Sequence, residues 1–228
     1  MGKLIVVDGL DGTGKKTQFE LLYERLKNED YNPEILDFPQ YDKNSSVFVR
    51  NYLSGDYGTD PNSVSPYQAS LCFAMDRFDC FKRNPNLKTK LNSENSFFLS
   101  NRYTTSNMIF HAAKMETEKI PEFLNWIENL EYNILEIPRP SDVFLFQMPI
   151  DFSLELMRKR NITQTAKKNN MLTDIHESNE LYLRSVAEKL LLIAKLQGFH
   201  VLNCIENGNL RTKEDIHEEI YSLVKKNN

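Results

Sequence analysis

Short apolar runs alternate along this chain with longer segments whose apolar positions recur every three or four residues. Residues 3–7 (Lys-Leu-Ile-Val-Val) predict a short buried strand, and 34–38, 96–100, 143–148 and 200–204 predict four more. Pro39 breaks the second of these. In the fourth, nearly every position is apolar, which predicts cover on both faces. Between the strands the period changes. Thr17 to Leu26 places Phe19, Leu22 and Leu26 on one side of a helix, with Glu20, Glu24 and Arg25 elsewhere. Helices are also predicted over 45–53, 121–130, 150–160 and 178–197. Ser65-Pro66, a capping residue before a proline at the first helical position, opens a long helix to Lys82. Residues 54–63 read as a loop and 84–95 as a polar surface connection. The alternation predicts an α/β fold, a parallel sheet between two helical layers. With no internal repeat and no linker, 1–228 is expected to be one domain.

Composition and charge narrow this picture. At 228 residues and 40% hydrophobic content, a core forms without disulfide or metal staples. A net charge of −4, from 28 basic and 32 acidic residues, excludes a polyanion binder driven by bulk charge. Nucleic acid is therefore not an expected partner, although a local phosphate site stays open. The apolar run near the start stops at Asp8, too short for a signal peptide, and no stretch approaches the ~18 apolar residues of a membrane span. A cytoplasmic protein without membrane association is expected. Cys72, Cys80 and Cys204 form no C-x-x-C pair, and the four histidines show no H-E-x-x-H spacing. Reduced thiols, and no histidine-built metal site, are expected.

The chemistry is written in Gly9-Leu-Asp-Gly-Thr-Gly14-Lys15, directly after the first strand and before the first helix. Glycines let successive backbone N–H groups turn toward an oxyanion, and the helix terminus adds partial positive charge. Lys15 then reaches the outer phosphates. Such a loop predicts nucleotide binding by Gly9, Leu10, Asp11, Gly12, Thr13, Gly14, Lys15, Lys16 and Thr17. One feature departs from the pattern: Lys16 stands where a magnesium-binding hydroxyl is expected, with Thr17 following.

Further motifs occur in order. Phe38-Pro39 follows the second strand. Leu71-Cys-Phe-Ala-Met-Asp-Arg77 lies on the long helix. Asn101-Arg102-Tyr103, with Ser106, ends the third strand. Pro138-Arg-Pro-Ser-Asp142 precedes the fourth, and Asp174-Ile-His-Glu177 opens a later helix. Together with the loop these resemble the thymidylate kinases, P-loop nucleoside monophosphate kinases, from residue 1 to about 220. The resemblance implies a five-stranded P-loop NTPase-type sandwich, ATP-dependent phosphorylation of dTMP to dTDP, magnesium, and a homodimer. It implies that Phe73 stacks on thymine, that Arg77, one helical turn on, donates to a base carbonyl, and that Arg102 holds the dTMP phosphate. Asp11 would accept from the sugar 3′-hydroxyl and Phe110 would pack under the deoxyribose, with Phe38, Tyr41 and Ser106 as further contacts. Lys15, Arg102, Asp8 and Arg158 are the implied catalytic set. Arg158 belongs to a basic lid over 158–173 that also contains Lys167 and Lys168, and it would contact ATP. Gly12 occupies a position where some members carry arginine, so lid cations would supply that charge.

Lys16, and Asn101 in place of an expected acid, shift the local charge about two units toward positive. This suggests either that Lys16 replaces some protein–metal contacts or that Lys16 is solvated. Magnesium would be held by ATP and water, with Asp8 as the candidate protein ligand. Two alternatives follow: a deoxynucleoside kinase on the same fold, and a nucleotide-binding pseudokinase. The dimer face is expected from the long helix and from 105–115.

Overall fold

The computed structural model describes residues 2–165 and 174–226. Strands β1 (Lys3–Gly9), β2 (Glu34–Asp37), β3 (Phe97–Asn101), β4 (Asp142–Gln147) and β5 (His200–Asn203) form a five-stranded sheet in the order β2-β3-β1-β4-β5. Every pairing in it is parallel. The period-two pattern of β1 explains the layers. Leu4 and Val6 face one way, against Phe81 and Phe98. Ile5 and Val7 face the other, against Leu22 and Leu26.

Helices α1 (Lys15–Asn28) and α9 (Lys213–Lys226) cover the Ile5 face, where Ile216, Ile220 and Val224 enter the same cluster. Helix α3 (Pro66–Arg83) covers the other. Ser65 accepts from the Gln68 amide, the cap expected of Ser65-Pro66, and the Gln68 side chain accepts in return from the Ser65 amide. Helix α2 (Val47–Leu53) packs on α3. A short helix, α5 (Thr104–Ser106), continues into a π-helical turn (Asn107–His111). Helix α6 (Ile120–Glu128) likewise runs into a π-helical segment (Asn129–Ile134). These two, with α7 (Ile150–Thr165) and α8 (Glu180–Gln197), enclose a second apolar cluster around Phe123, Leu145 and Val186.

The structure differs from the sequence reading in three places. Residues 84–95 hold a helix, α4 (Pro85–Leu91), rather than only a connection. Proline at its first position fixes φ for the opening turn. The segment 105–115 is not an open apolar face: Met108, Ile109, Phe110 and Ala112 are buried. Past β5, a hairpin of β6 (Ile205–Glu206) and β7 (Asn209–Leu210) precedes α9, and neither was expected.

Candidate active site

The carboxyl ends of β1, β2 and β3 open on one side of the sheet, where open parallel sheets place ligands. The loop after β1 needs its glycines for space as much as for conformation. Gly9 has φ 132° and lies so close to β4 that a Cβ would meet the Phe146 carbonyl oxygen at 2.6 Å. Thr13 Oγ1 and Lys15 Nζ both donate to the Leu10 carbonyl, at 2.8 and 2.6 Å. Lys15 is buried, and desolvation lowers its pKa against the pull of the Asp11 carboxylate.

Arg102 sits just past β3 with φ +61°, a left-handed conformation that L side chains rarely adopt. Its amide donates to Val7 O, and its carbonyl accepts from Ser100 Oγ at 2.6 Å. These bonds hold the turn. The guanidinium reaches both oxygens of Asp11, each at 2.9 Å, and lies 5.0 Å from the Phe110 ring centroid. Lys15 approaches the same Asp11 carboxylate at 3.4 Å. A cation from the first turn of α1 and one from just past β3 therefore converge on one carboxylate at the mouth of the loop.

Beside this point is a cavity of about 190 Å³. Asp11, Phe38, Tyr41, Phe73, Arg77, Arg102, Ser106 and Phe110, the eight side chains assigned to dTMP, all line it. The loop after β2 is tied down there by buried Asp76, which accepts from the Gln40 amide (2.8 Å) and Ser45 Oγ (2.6 Å). Burial raises the Tyr41 phenol to about 12. The structure adds lining residues to which the sequence reading gave no site role: Asn107, His111, Asp174, His176 and Glu177. His176 stacks on Phe110 at 5.8 Å and accepts or donates at 2.7 Å with Tyr52 Oη, which in turn receives Lys114 Nζ at 2.6 Å. Burial drives His176 down to about 3 and His111 well below the usual histidine range, so both are neutral at pH 7. Burial also lifts Asp174 to about 6. The motif Asp174-Ile-His-Glu177 carried a signal for three of these residues.

Other expected residues lie differently. Asp8 is fully buried, and its two oxygens accept from the Gly9 amide, Thr105 Oγ1 and Ser106 Oγ at 2.6–3.0 Å. The carboxylate that was the candidate magnesium ligand is thus already occupied in joining β1 to α5. Lys16 is solvated, its side chain 89% exposed and paired with Glu20, which removes the support for its standing in for metal contacts. Thr17 is exposed too. Asn101 Nδ2 donates to Asp37 Oδ1 at 2.9 Å. The acid missing at 101 is therefore balanced by one on the neighbouring strand, so the local charge shift is smaller than the motif alone suggests. Arg158 is exposed and pairs with Glu180 at 3.0 Å. Gly12 packs against α7, where a Cβ would lie 2.8 Å from Ser153 O, and Ser153 Oγ donates to Asp11 O. Lys167 and Lys168 lie outside the described residues.

A phosphate loop between the first strand and first helix of a 2-3-1-4-5 parallel sheet, beside an aromatic cavity, defines a P-loop nucleotide kinase. Comparison with known proteins narrows the class. The family model described as thymidylate kinase matches residues 7–220. A Pyrococcus horikoshii protein named "Probable thymidylate kinase" is 27% identical over 98% of this chain and 96% of its own length. The thymidylate kinase of Mycobacterium tuberculosis is 25% identical over 86% of this chain and 87% of its own. Among solved structures, the thymidylate kinase of Candida albicans superposes with a TM-score of 0.67 at 19% identity, covering 99% of this chain and 92% of that one, which shows a shared fold. The chain belongs to the thymidylate kinase family. It is a nucleoside monophosphate kinase, and its reaction is ATP-dependent phosphorylation of dTMP; neither alternative is favoured.

Proposed function

We propose that the cleft at the ends of β1, β2 and β3 is where dTMP receives the terminal phosphoryl group of ATP. The observation that carries this is the meeting of Lys15 and Arg102 at Asp11, between the phosphate loop and the aromatic cavity. ATP phosphates take the loop from Gly9 to Thr17, with Lys15 on the outer ones. The thymine ring enters the cavity against Phe73 and within reach of Arg77. Phe110 packs under the sugar, and Asp11 accepts from its 3′-hydroxyl. Arg102 then holds the dTMP phosphate while charge moves between the two nucleotides. The acceptor is a phosphate oxygen already ionised at neutral pH, so no general base is needed.

Magnesium fits this cleft as an ion that keeps its waters and rides on ATP phosphates. The cavity offers Asp174 and Glu177 besides Asp11, while Asp8 has its oxygens occupied. Among the described residues no group of three or more metal-ligating side chains could hold the ion by itself. When bound, it would neutralise phosphate charge.

Arg158, at the start of the expected lid, is released from Glu180 to meet ATP in this reading; residues 166–173 of that lid lie outside the described residues. The chain works as one domain and as a homodimer. Leu71 and Met75, one turn apart on α3 and both more than 40% exposed, supply part of the face between copies. A chain that sediments as a monomer at micromolar concentration ends the dimer reading. The cytoplasm is the site of action, in keeping with three free thiols. No helix among the described residues is long and apolar enough to cross a membrane.

Phe73→Ala tests the cavity. Losing a stacked base contact worth ~1–3 kcal/mol raises the dTMP KM about 5- to 150-fold and leaves the ATP KM near its original value. A larger change in the ATP KM would sink the stacking assignment.

A further inference from the structure

Glu131 lies in the π-helical segment that ends α6, far in sequence from the phosphate loop, and is completely buried. Its carboxylate accepts four hydrogen bonds. Oε2 takes Arg77 Nε at 2.6 Å and Thr104 Oγ1 at 2.9 Å. Oε1 takes Arg77 Nη2 at 2.6 Å and Asn107 Nδ2 at 2.9 Å. Of these three partners, Arg77 and Asn107 line the cavity and Thr104 does not. Burial opposes the charge on Arg77, but the Glu131 carboxylate outweighs it and raises the Arg77 pKa. The pair therefore leaves little net charge behind Phe73, which suits an uncharged base.

The remaining donors and acceptors can be counted. Arg77 has committed Nε and one N–H of Nη2 to Glu131, and Nη1 has only a long 3.4 Å approach to Tyr103 O. Asn107 has committed both amide hydrogens, one to Glu131 and one to Ser70 O at 3.1 Å. Turning that amide over would set its oxygen against a carboxylate and a carbonyl, so chemistry fixes its orientation. Asn107 Oδ1 then accepts from no group among the described residues.

We propose that Glu131 is a positioning residue for base recognition: it holds Arg77 as a donor and Asn107 as an acceptor toward the base on Phe73. That pairing matches the 4-oxo, N3–H edge of thymine or uracil. It mismatches cytosine, whose 4-amino group donates and whose N3 accepts. The inference deepens the base-cavity assignment and rests on it.

The test compares dTMP with dCMP as acceptors, at varied ATP, for the wild type, Glu131→Gln and Thr104→Val. Glutamine keeps the shape but presents an amide nitrogen to groups that are themselves donors. In Glu131→Gln, kcat/KM for dTMP falls about 10- to 100-fold, chiefly through the dTMP KM, as expected for disturbing charge-assisted hydrogen bonds. The ATP KM stays within about twofold and the dTMP-over-dCMP preference narrows about tenfold. Thr104→Val removes one bond to Glu131 without touching the cavity and moves the same quantities in the same direction, by less. It decides the matter if Glu131→Gln does not fold. Folded variants that keep the wild-type preference, or that raise both KM values alike, overturn the proposal. A wild type that uses dTMP and dCMP equally overturns the base-cavity assignment itself.

Discussion

At the scale of single residues, two cations, Lys15 and Arg102, meet one acid, Asp11, at the proposed point of transfer. Lys15 is buried and desolvated, and it is held at the phosphate loop by the Leu10 carbonyl and Asp11. A charge kept this way contributes at the transferring phosphoryl group far more than a solvated one does. Lys15→Ala is expected to lose about 10²–10³-fold in kcat while melting within a few degrees of the wild type. Near-normal turnover in that variant contradicts the loop assignment. Lys15 was legible because its motif is local: strand, glycines, lysine and helix follow one another. Arg77 and Phe73 were legible as a helical i,i+4 pair, given the family resemblance. Glu131 was not. In sequence it looks like Glu136, which is solvent-exposed, and only packing makes one a buried anchor and the other a surface charge. Asn107, His111 and His176 were given no role for the same reason, since the neighbours Ser70, Phe73 and Tyr52 lie 37, 38 and 124 residues away in sequence.

At the scale of elements, α7 is docked directly on the phosphate loop. Gly12 has φ 82°, and a Cβ there would lie 2.8 Å from Ser153 O and 3.3 Å from the side chains of Leu156 and Met157. An arginine at this position, as some family members carry, has no room unless α7 moves. Gly12→Arg is expected to destabilise the fold by about 1–3 kcal/mol. For a chain of this size that lowers Tm by roughly 2–12 °C, read by differential scanning calorimetry. An unchanged Tm contradicts the close docking. The five strands were legible because each centres on consecutive apolar residues between breaks. Helix α4 was not, because its seven residues include none that is fully buried and its apolar spacing is a single pair, Leu87 and Leu91, in a polar stretch. Helix α9 had its signal in Ile216, Ile220 and Val224, which recur every four residues.

At the scale of the whole molecule, the cavity carries two neutral histidines, and that links folding to pH. His176 titrates near 3 when folded and near 6.5 when unfolded. Between those values the unfolded chain binds more protons, so stability is present above about pH 6.5 and is lost as pH falls below it. From pH 7 to pH 5, His176 alone removes about 2 kcal/mol. His111, lowered by burial, acts in the same direction, and Asp174, raised by burial, offsets part of it. Urea midpoints at the two pH values should show a loss in the wild type and a smaller one in His176→Gln. Equal losses contradict the buried neutral state.

The proposed arrangement accounts for how a chain of net charge −4 would handle two phosphorylated nucleotides: Lys15 and Arg102 meet at the mouth of the phosphate loop. The most direct test of that account is ADP release from ATP by the purified chain with dTMP, dCMP, dGMP, dAMP and thymidine offered separately. The account predicts the highest kcat/KM with dTMP and none above background with thymidine. Phosphorylation of thymidine but not dTMP, or ATP binding with no dTDP formed, would contradict it.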